Sequence, residues 1–142
     1  MPMPTLRPAT PADISGMHRV RLAVRENRLT STAITEADYV LAITTTGRGW
    51  VVESDGMIVA FAVGNRVSGN IWALFVHPDH EALGYGLQLH ESVVSWLWSQ
   101  GLERLWLTTE PGTRAEAFYS SRGWERAGHN QHGEIRFELS CT

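Results

Sequence analysis

The sequence predicts a mixed α/β fold, α+β in character, with a mostly antiparallel sheet of about seven strands flanked by about four helices. Three observations predict it. The chain has 142 residues, of which 43% are hydrophobic and 19% charged, and this suits one domain over residues 1–142. Short apolar runs typical of strands alternate with segments of helical periodicity. Their order along the chain is β-α-α-β-β-β-α-β-α-β-β.

The N-terminal part predicts one short strand, at residues 5–7, and then two helices. The first helix runs from near Pro11 to about Glu26, and the second runs from the capping residue Thr35 to near Gly47. The buried face of the first helix is a set of apolar residues at helical spacing: Ile14, Met17, Val20 and Val24.

Three strands follow and form a meander. The first two, at residues 50–53 and 57–63, flank a hairpin turn in which Gly56 permits a positive φ. The third strand covers residues 70–76 after a second turn. Such a meander predicts antiparallel neighbours.

The C-terminal half predicts a long helix from about Gly84 to Gln100, a strand at 104–109, a capped helix at 113–121 and strands at 124–128 and 135–139. The apolar face of the long helix consists of Leu89, Val93, Trp96 and Leu97. Because this helix is a crossover connection, the strands on either side of it are expected to meet in parallel.

The charge balance disfavours two classes of partner. The chain has 12 basic and 15 acidic residues, and a net charge of -3 argues against a nucleic-acid partner. No apolar run is long enough to cross a membrane, and residues 1–4 do not resemble a signal peptide, so a cytoplasmic protein is expected. A homodimer is left open.

The residue inventory excludes several kinds of chemistry. Every basic residue is arginine, which excludes a P-loop, a Schiff-base lysine and a lysine general base. The single cysteine, Cys141, can form no internal disulfide. Because the histidine spacing does not indicate a metal centre, no metal is expected.

The junction between the third meander strand and the long helix is the most informative stretch. A loop of residues 77–83 leads from the strand to Gly84-Tyr85-Gly86, which opens the helix. Free backbone N–H groups at the positive end of a helix dipole can hold a phosphate or pyrophosphate. The alternative is that the glycines only permit a turn and close packing. A Rossmann site is disfavoured because Leu89 stands where its third glycine would be.

Two motifs resemble those of the GCN5-related N-acetyltransferase (GNAT) family. Val76-His77-Pro78 with Gly84-Tyr85-Gly86 is similar to the coenzyme A-binding motif, and residues 115–124 resemble the family's late Phe-Tyr helix, here with Trp124 as its final aromatic residue. The resemblance extends over most of the chain. Two positions depart from the family pattern, since Glu81 replaces an arginine or glutamine and Gly112 replaces an asparagine.

The resemblance implies a splayed parallel strand pair that binds acetyl-CoA. The pantetheine arm would lie along one strand, and backbone N–H groups of the glycine loop would bind the pyrophosphate. Tyr119 would act as general acid to the coenzyme A sulfur. The implied cofactor-binding residues are Leu74, Phe75, Val76, Leu83, Gly84, Tyr85, Gly86, Leu87, Gly112 and Tyr119.

The general base and the acceptor site are less defined by the resemblance. Many relatives carry a glutamate at the strand position that is occupied here, near Trp72, by an aromatic side chain. Glu53, Glu110 and His77 are therefore the alternative candidates for the base. Glu26 and Asn27 are expected to bind a cationic acceptor, while Arg25 and Arg28 would instead favour an acceptor with a carboxylate: the two alternatives stay open.

The implied function is transfer of an acetyl group from acetyl-CoA to a primary amine of a small molecule or peptide, by direct attack in a ternary complex. Two alternatives remain at this point. One is a non-catalytic acyl-CoA-binding module, and the other is an interaction protein that binds no cofactor.

Overall fold

The computed structural model describes residues 4–24 and 34–141. Within these ranges there are seven strands and four α-helices. The strands are β1 Thr5–Pro8, β2 Gly47–Ser54, β3 Met57–Asn65, β4 Ile71–Val76, β5 Arg104–Thr109, β6 Glu125–His129 and β7 Ile135–Ser140. The α-helices are α1 Ile14–Ala23, α2 Glu36–Thr44, α3 Tyr85–Ser99 and α4 Arg114–Ser121, with short 3-10 turns at Pro11–Asp13 and Pro78–His80.

The strands form two antiparallel sheets that meet at one parallel contact. The first sheet has the order β1-β2-β3-β4 and the second has the order β5-β7-β6. Among the described residues, the bridge that joins them is parallel and runs from Asn70, which directly precedes β4, to Trp106 of β5. Beyond that bridge the two strands separate. The mixed, mostly antiparallel fold predicted from the sequence is therefore confirmed.

Helices cover both faces of the first sheet. On one face α1 and α2 bury Met17, Val20 and Tyr39 against Val51 and Phe61. On the opposite face the apolar side of α3 packs on β2 and β3 and reaches the second sheet; this core includes Leu89, Val93, Leu97, Val52, Ala60, Leu105 and Phe137. The long helix therefore fixes the distance between the two sheets.

Tertiary contacts move some element ends from their predicted positions. A salt bridge between Arg7 and Asp13, at 2.8 Å, anchors the 3-10 turn that precedes α1. At the other end α1 stops at Ala23, because Val24 is extended with φ -84° and ψ 100°. The helix is thus shorter than the expected span, and its last predicted residues lie outside the described ranges.

Strand β4 contains a bulge that changes where its side chains point. Ala73 pairs with Val63 and Ile71 pairs with Gly64, so Trp72 is the extra residue on β4. Its ring packs on the face covered by α1 and α2.

Neither a membrane-spanning helix nor a metal-binding group of side chains is found in the described ranges. There, no helix has the length and hydropathy needed to cross a membrane. The same ranges contain no group of three or more histidine, cysteine, aspartate or glutamate side chains arranged to hold a metal ion.

Candidate active site

The separation of β4 and β5 creates a cavity, which we call the sheet-edge cleft. Its volume is about 530 Å³, within the range of small-molecule sites. Strands β4 and β5, the loop before α3, the first turn of α3, and α4 all contribute to its walls, and Val24 at the end of α1 also lines it. The cleft therefore runs from the α3 side of the first sheet, past the edge of β4, toward the α1 side.

The N-terminus of α3 opens onto the cleft without a side-chain cap. Gly84 occupies the N-cap position with a left-handed φ of 87°, and it has no side chain to accept a hydrogen bond. The first helical hydrogen bond runs from the Gln88 amide to the Gly84 carbonyl, at 3.1 Å. The amides of residues 85–87 consequently have no helical acceptor. Three N–H groups at the positive end of a helix of 15 residues form a site suited to a phosphate.

Gly84 and Gly86 are glycines for different structural reasons. Gly84 is required by its positive φ, which side chains rarely adopt. Gly86 has no such requirement, and a Cβ placed on it would meet only Val76 Cγ2, at 3.7 Å. Packing within the protein therefore does not explain Gly86, whereas the close approach of a ligand to the backbone would.

Strand β4 offers an unpaired edge to the cleft. Leu74, Phe75 and Val76 pair with β3 on one side, and all three line the cleft on the other. Thr109 at the end of β5 lies on the opposite wall. An extended ligand arm with amide groups can add to such an edge as a further strand would.

Tyr119 forms the inner wall of the cleft. It is 5% exposed, and its ring packs against His90, Trp124 and Phe137. Burial raises the pKa of Tyr119 well above its ordinary value, so the phenol stays protonated. The neighbouring Phe118 is half-buried and also lines the cleft. Of the two residues, Tyr119 is therefore the more deeply buried.

A histidine that the sequence does not distinguish holds this wall in place. The indole N–H of Trp124 donates to Nε2 of His90 at 2.9 Å. Burial lowers the pKa of His90, and a nearby Arg122 contributes to the same shift. The ring is therefore neutral at neutral pH. It packs edge-on against Phe118, so it fixes the position of α4 beside the cleft.

The unusual Glu81 has a partner across the cleft. Glu81 and Arg114 both line it, and their side chains form an ion pair. Arg114 is the first residue of α4, 33 positions away in sequence. An arginine is thus present beside Glu81, but on another element.

The three candidate bases lie outside the lining of the cleft. Glu53 accepts hydrogen bonds from Arg7 at 3.0 and 3.2 Å, at the far end of β2, so the structure does not bring it to the site. His77 follows β4, and its Nδ1 accepts from the Asp79 amide at 3.1 Å. Glu110 follows β5, and its carbonyl accepts from the Thr113 hydroxyl at 2.8 Å.

Most of the residues expected to bind the cofactor line the cleft. Eight of the ten residues expected to bind the cofactor line the cleft: Leu74, Phe75, Val76, Gly84, Tyr85, Gly86, Leu87 and Tyr119. Leu83 is exposed and Gly112 precedes the cap of α4; neither lines the cleft. The predicted acceptor residues Glu26 and Asn27, like Arg25 and Arg28, lie outside the described residues. His80 also lines the cleft, and its sequence context did not indicate this.

Comparisons with known structures show that this architecture recurs. An acetyltransferase of the GNAT family from Staphylococcus aureus has a TM-score of 0.82 at 14% identity, with 99% of this chain and 100% of that chain covered. The ribosomal-protein-S18-alanine N-acetyltransferase of Escherichia coli has a TM-score of 0.77 at 20% identity, with 97% and 94% covered. The PaiA N-acetyltransferase of Thermoplasma acidophilum, solved in complex with coenzyme A, has a TM-score of 0.78 at 11% identity, with 99% and 100% covered.

The match to a single related sequence covers less than half of this chain. An uncharacterized ycf52-like N-acetyltransferase of Prochlorococcus marinus is 34% identical over 58 residues, which are 41% of this chain and 31% of that protein. The matching part thus spans about a third of the relative. The model of the acetyltransferase (GNAT) family matches residues 14–124, most of the chain and nearly all of the elements that build the cleft. The chain belongs to the GNAT family.

Proposed function

We propose that residues 1–142 form one acetyltransferase domain that transfers an acetyl group from acetyl-CoA to a primary amine of a small molecule or peptide. One observation carries the proposal: a single cleft joins an uncapped helix N-terminus to an unpaired strand edge. The first feature suits a diphosphate, and the second suits an amide-containing arm. Membership of the GNAT family supports the same activity.

The residues of the cleft suit the cofactor in three places. The amides of residues 85–87 would bind the diphosphate, and the edge of β4 would bind the pantetheine arm. Gly86 leaves room for close approach. Bound there, the thioester would supply the activated acetyl group, and an N–H of β4 would polarise its carbonyl.

The reaction then requires three proton transfers. The ammonium form of the acceptor must first lose a proton. The amine nitrogen then forms a bond to the acetyl carbon while the bond from that carbon to sulfur breaks. The departing thiolate takes the proton of Tyr119, whose hydroxyl stays protonated until then because it is buried, and the phenolate recovers a proton from the acylated nitrogen.

For that proton we propose Glu110, acting through water. Glu53 is held by Arg7 away from the cleft. The Nδ1 atom of His77 is an acceptor, so Nε2 carries the proton in the neutral ring and neither nitrogen is ready to act as a base. Glu110 directly follows Thr109, which lines the cleft.

The alternative is a non-catalytic acyl-CoA-binding module. The observation that favours it is that Glu53, His77 and Glu110 all lie outside the cleft lining. Calorimetric titration with acetyl-CoA and a thiol-release assay over a panel of amines separate the alternatives. Since the E. coli neighbour is a ribosomal-protein-S18-alanine N-acetyltransferase, peptides with a free N-terminus belong in that panel.

Each outcome has a defined meaning. Binding with thiol release supports the enzyme, and binding without release for every amine supports the module. No heat of binding at about millimolar acetyl-CoA would overturn both, because the cleft would then not hold the cofactor.

A further inference from the structure

Arg21 is an arginine buried on the apolar face of α1. It is 1% exposed, between the core residues Met17 and Val20 on one side and Val24 on the other. Burial lowers its pKa, but a guanidinium remains charged at neutral pH. No carboxylate within the described ranges pairs with it. Arg21 therefore keeps a positive charge out of water with no anionic partner in the part of the chain that the structure describes.

The hydrogen bonding of Arg21 is also incomplete. Its Nη2 atom donates to the Trp72 carbonyl at a long distance of 3.4 Å. Its Nε and Nη1 atoms are buried and have no acceptor among the residues that the structure describes. Buried donors in folded proteins almost always have partners, because an unpaired one loses its bonds to water without replacement.

Four aromatic rings surround the guanidinium, and we call them the aromatic cage. Their centroids lie 4.5 Å from the Arg21 carbon Cζ for Trp72, 5.1 Å for Phe75, 5.5 Å for Tyr39 and 5.9 Å for Phe61. Ring faces attract a cation, so the cage stabilises the charge. The cage does not supply oxygen acceptors for Nε and Nη1, and no other described residue supplies one.

The cage lies at the end of the cleft that is away from the diphosphate site. Phe75 belongs to the cage and also lines the cleft, and Val24, three residues after Arg21, lines it too. Tyr39 and Phe61 are fully buried, whereas Trp72 and Phe75 are half-buried, so the accessible side of the cage is the β4 side. The α3 N-terminus lies on the opposite face of the first sheet.

We propose that Arg21 binds a carboxylate of the acceptor, so that the acceptor is a small amine that also bears a carboxylate, such as an amino acid. The proposal rests on the proposed acetyltransferase function. A carboxylate accepts two N–H groups of a guanidinium together and neutralises its charge. Because the phosphates of the cofactor belong at α3, we assign the anion that reaches Arg21 to the acceptor. Reaching it requires the Phe75 or Trp72 ring to turn aside.

The first test uses the wild-type protein with amino acids, each paired with its carboxamide. The two members of a pair share the amine and the side chain and differ only in the negative charge. We expect kcat/KM in the thiol-release assay to be at least about tenfold higher for an amino acid than for its amide. Equal values throughout the panel would overturn the proposal.

The second test compares Arg21→Met with Arg19→Met. Arg19 lies on the same helix, is exposed and donates to the Ile58 carbonyl, so its replacement removes the same charge outside the cage. Arg21→Met should abolish the preference for the carboxylate mainly by raising KM, with unchanged affinity for acetyl-CoA. Arg19→Met should keep the preference. A preference that survives in Arg21→Met would overturn the proposal.

A third measurement does not depend on turnover or on acetyl-CoA. Amino acids at about millimolar concentration should raise the melting temperature of the wild-type protein more than their amides do, and this difference should vanish in Arg21→Met. Without ligand, Arg21→Met should melt at the wild-type temperature or above it, because methionine removes an unpaired buried charge. A wild-type protein that amino acids do not stabilise would overturn the proposal, whereas failure to bind acetyl-CoA would overturn the proposed function instead.

Discussion

Replacing Gly86 by alanine should stabilise the fold and weaken acetyl-CoA binding at the same time. The new methyl group would contact only Val76 Cγ2, at 3.7 Å, which is an ordinary van der Waals distance. Alanine is also favoured over glycine in helices by about 0.8–1 kcal/mol, somewhat less in a first turn. We therefore expect a gain of about 0.5 kcal/mol in the free energy of unfolding, or roughly 2 °C in melting temperature for a chain of this size.

The affinity for acetyl-CoA should fall, because the methyl group would stand where the diphosphate approaches the amides of residues 85–87. Loss of one close charge-assisted hydrogen bond corresponds to about 1.5–3 kcal/mol, or at least about tenfold in Kd. Differential scanning calorimetry measures the first effect, and isothermal titration with acetyl-CoA measures the second. A variant that binds as tightly as the wild type would refute the placement of the diphosphate.

Gly84 and Gly101 provide a matched control at the two ends of α3. Their φ values are 87° and 88°, and a Cβ at either position would meet no atom within 4 Å. Alanine should therefore impose the same left-handed strain at both, about 1–2 kcal/mol. Only Gly84→Ala should also weaken acetyl-CoA binding. Equal affinities in the two variants would show that the amides at Gly84 do not contact the ligand.

Three further predictions concern the cleft wall, its charges and the start of α1. Tyr119→Phe should lower turnover about tenfold or more with little change in acetyl-CoA affinity. The shape of the pH profile from about pH 6 to about pH 9 should not change, because burial raises the pKa of the Tyr119 phenol. An unchanged turnover would remove the role of Tyr119 as general acid. Glu81→Gln should tighten acetyl-CoA binding severalfold, and Arg114→Gln should weaken it severalfold. Both effects should be smaller in high salt, and titrations at two salt concentrations would measure this. The hydrogen bonds from Arg7 lower the pKa of Asp13, so the stability they give is present above the ordinary carboxyl pKa and is lost as the pH falls through the lowered value. Asp13→Asn should accordingly cost about 1–2 kcal/mol in urea unfolding at pH 7 and less near pH 3, and a difference independent of pH would contradict this.

The sequence predicted what is encoded over short distances. The order of elements followed from periodicity and caps, and the structure confirms caps at Thr35 and Thr113. The turn at Gly84 and Gly86 could also be predicted from the local sequence. The bulge at Trp72 was not, because it depends on the register between β3 and β4.

The parts of the site that could not be predicted depend on distant partners. Arg114 lies 33 residues from Glu81, and no local pattern connects them. Arg21 interrupts an apolar helix face, and sequence patterns assign an arginine at such a position to solvent. Likewise, the pKa of His90 is lowered by burial and by Arg122, and its hydrogen-bond donor Trp124 lies 34 residues away in sequence.

We propose that transfer is direct, and the proposal follows from where the two cationic features lie. The helix N-terminus with Arg114 lies at one end of the cleft, and Arg21 lies beyond the edge of β4 on the other face of the sheet. An acetyl donor held by its diphosphate and an acceptor held by its carboxylate can then meet only at the open strand edge between them. The single cysteine of the chain, Cys141, is exposed after β7 rather than in the cleft lining, and it is not placed to carry an acyl group between the two. Direct transfer in a ternary complex predicts that the kinetic lines of a two-substrate experiment intersect, and parallel lines would contradict it.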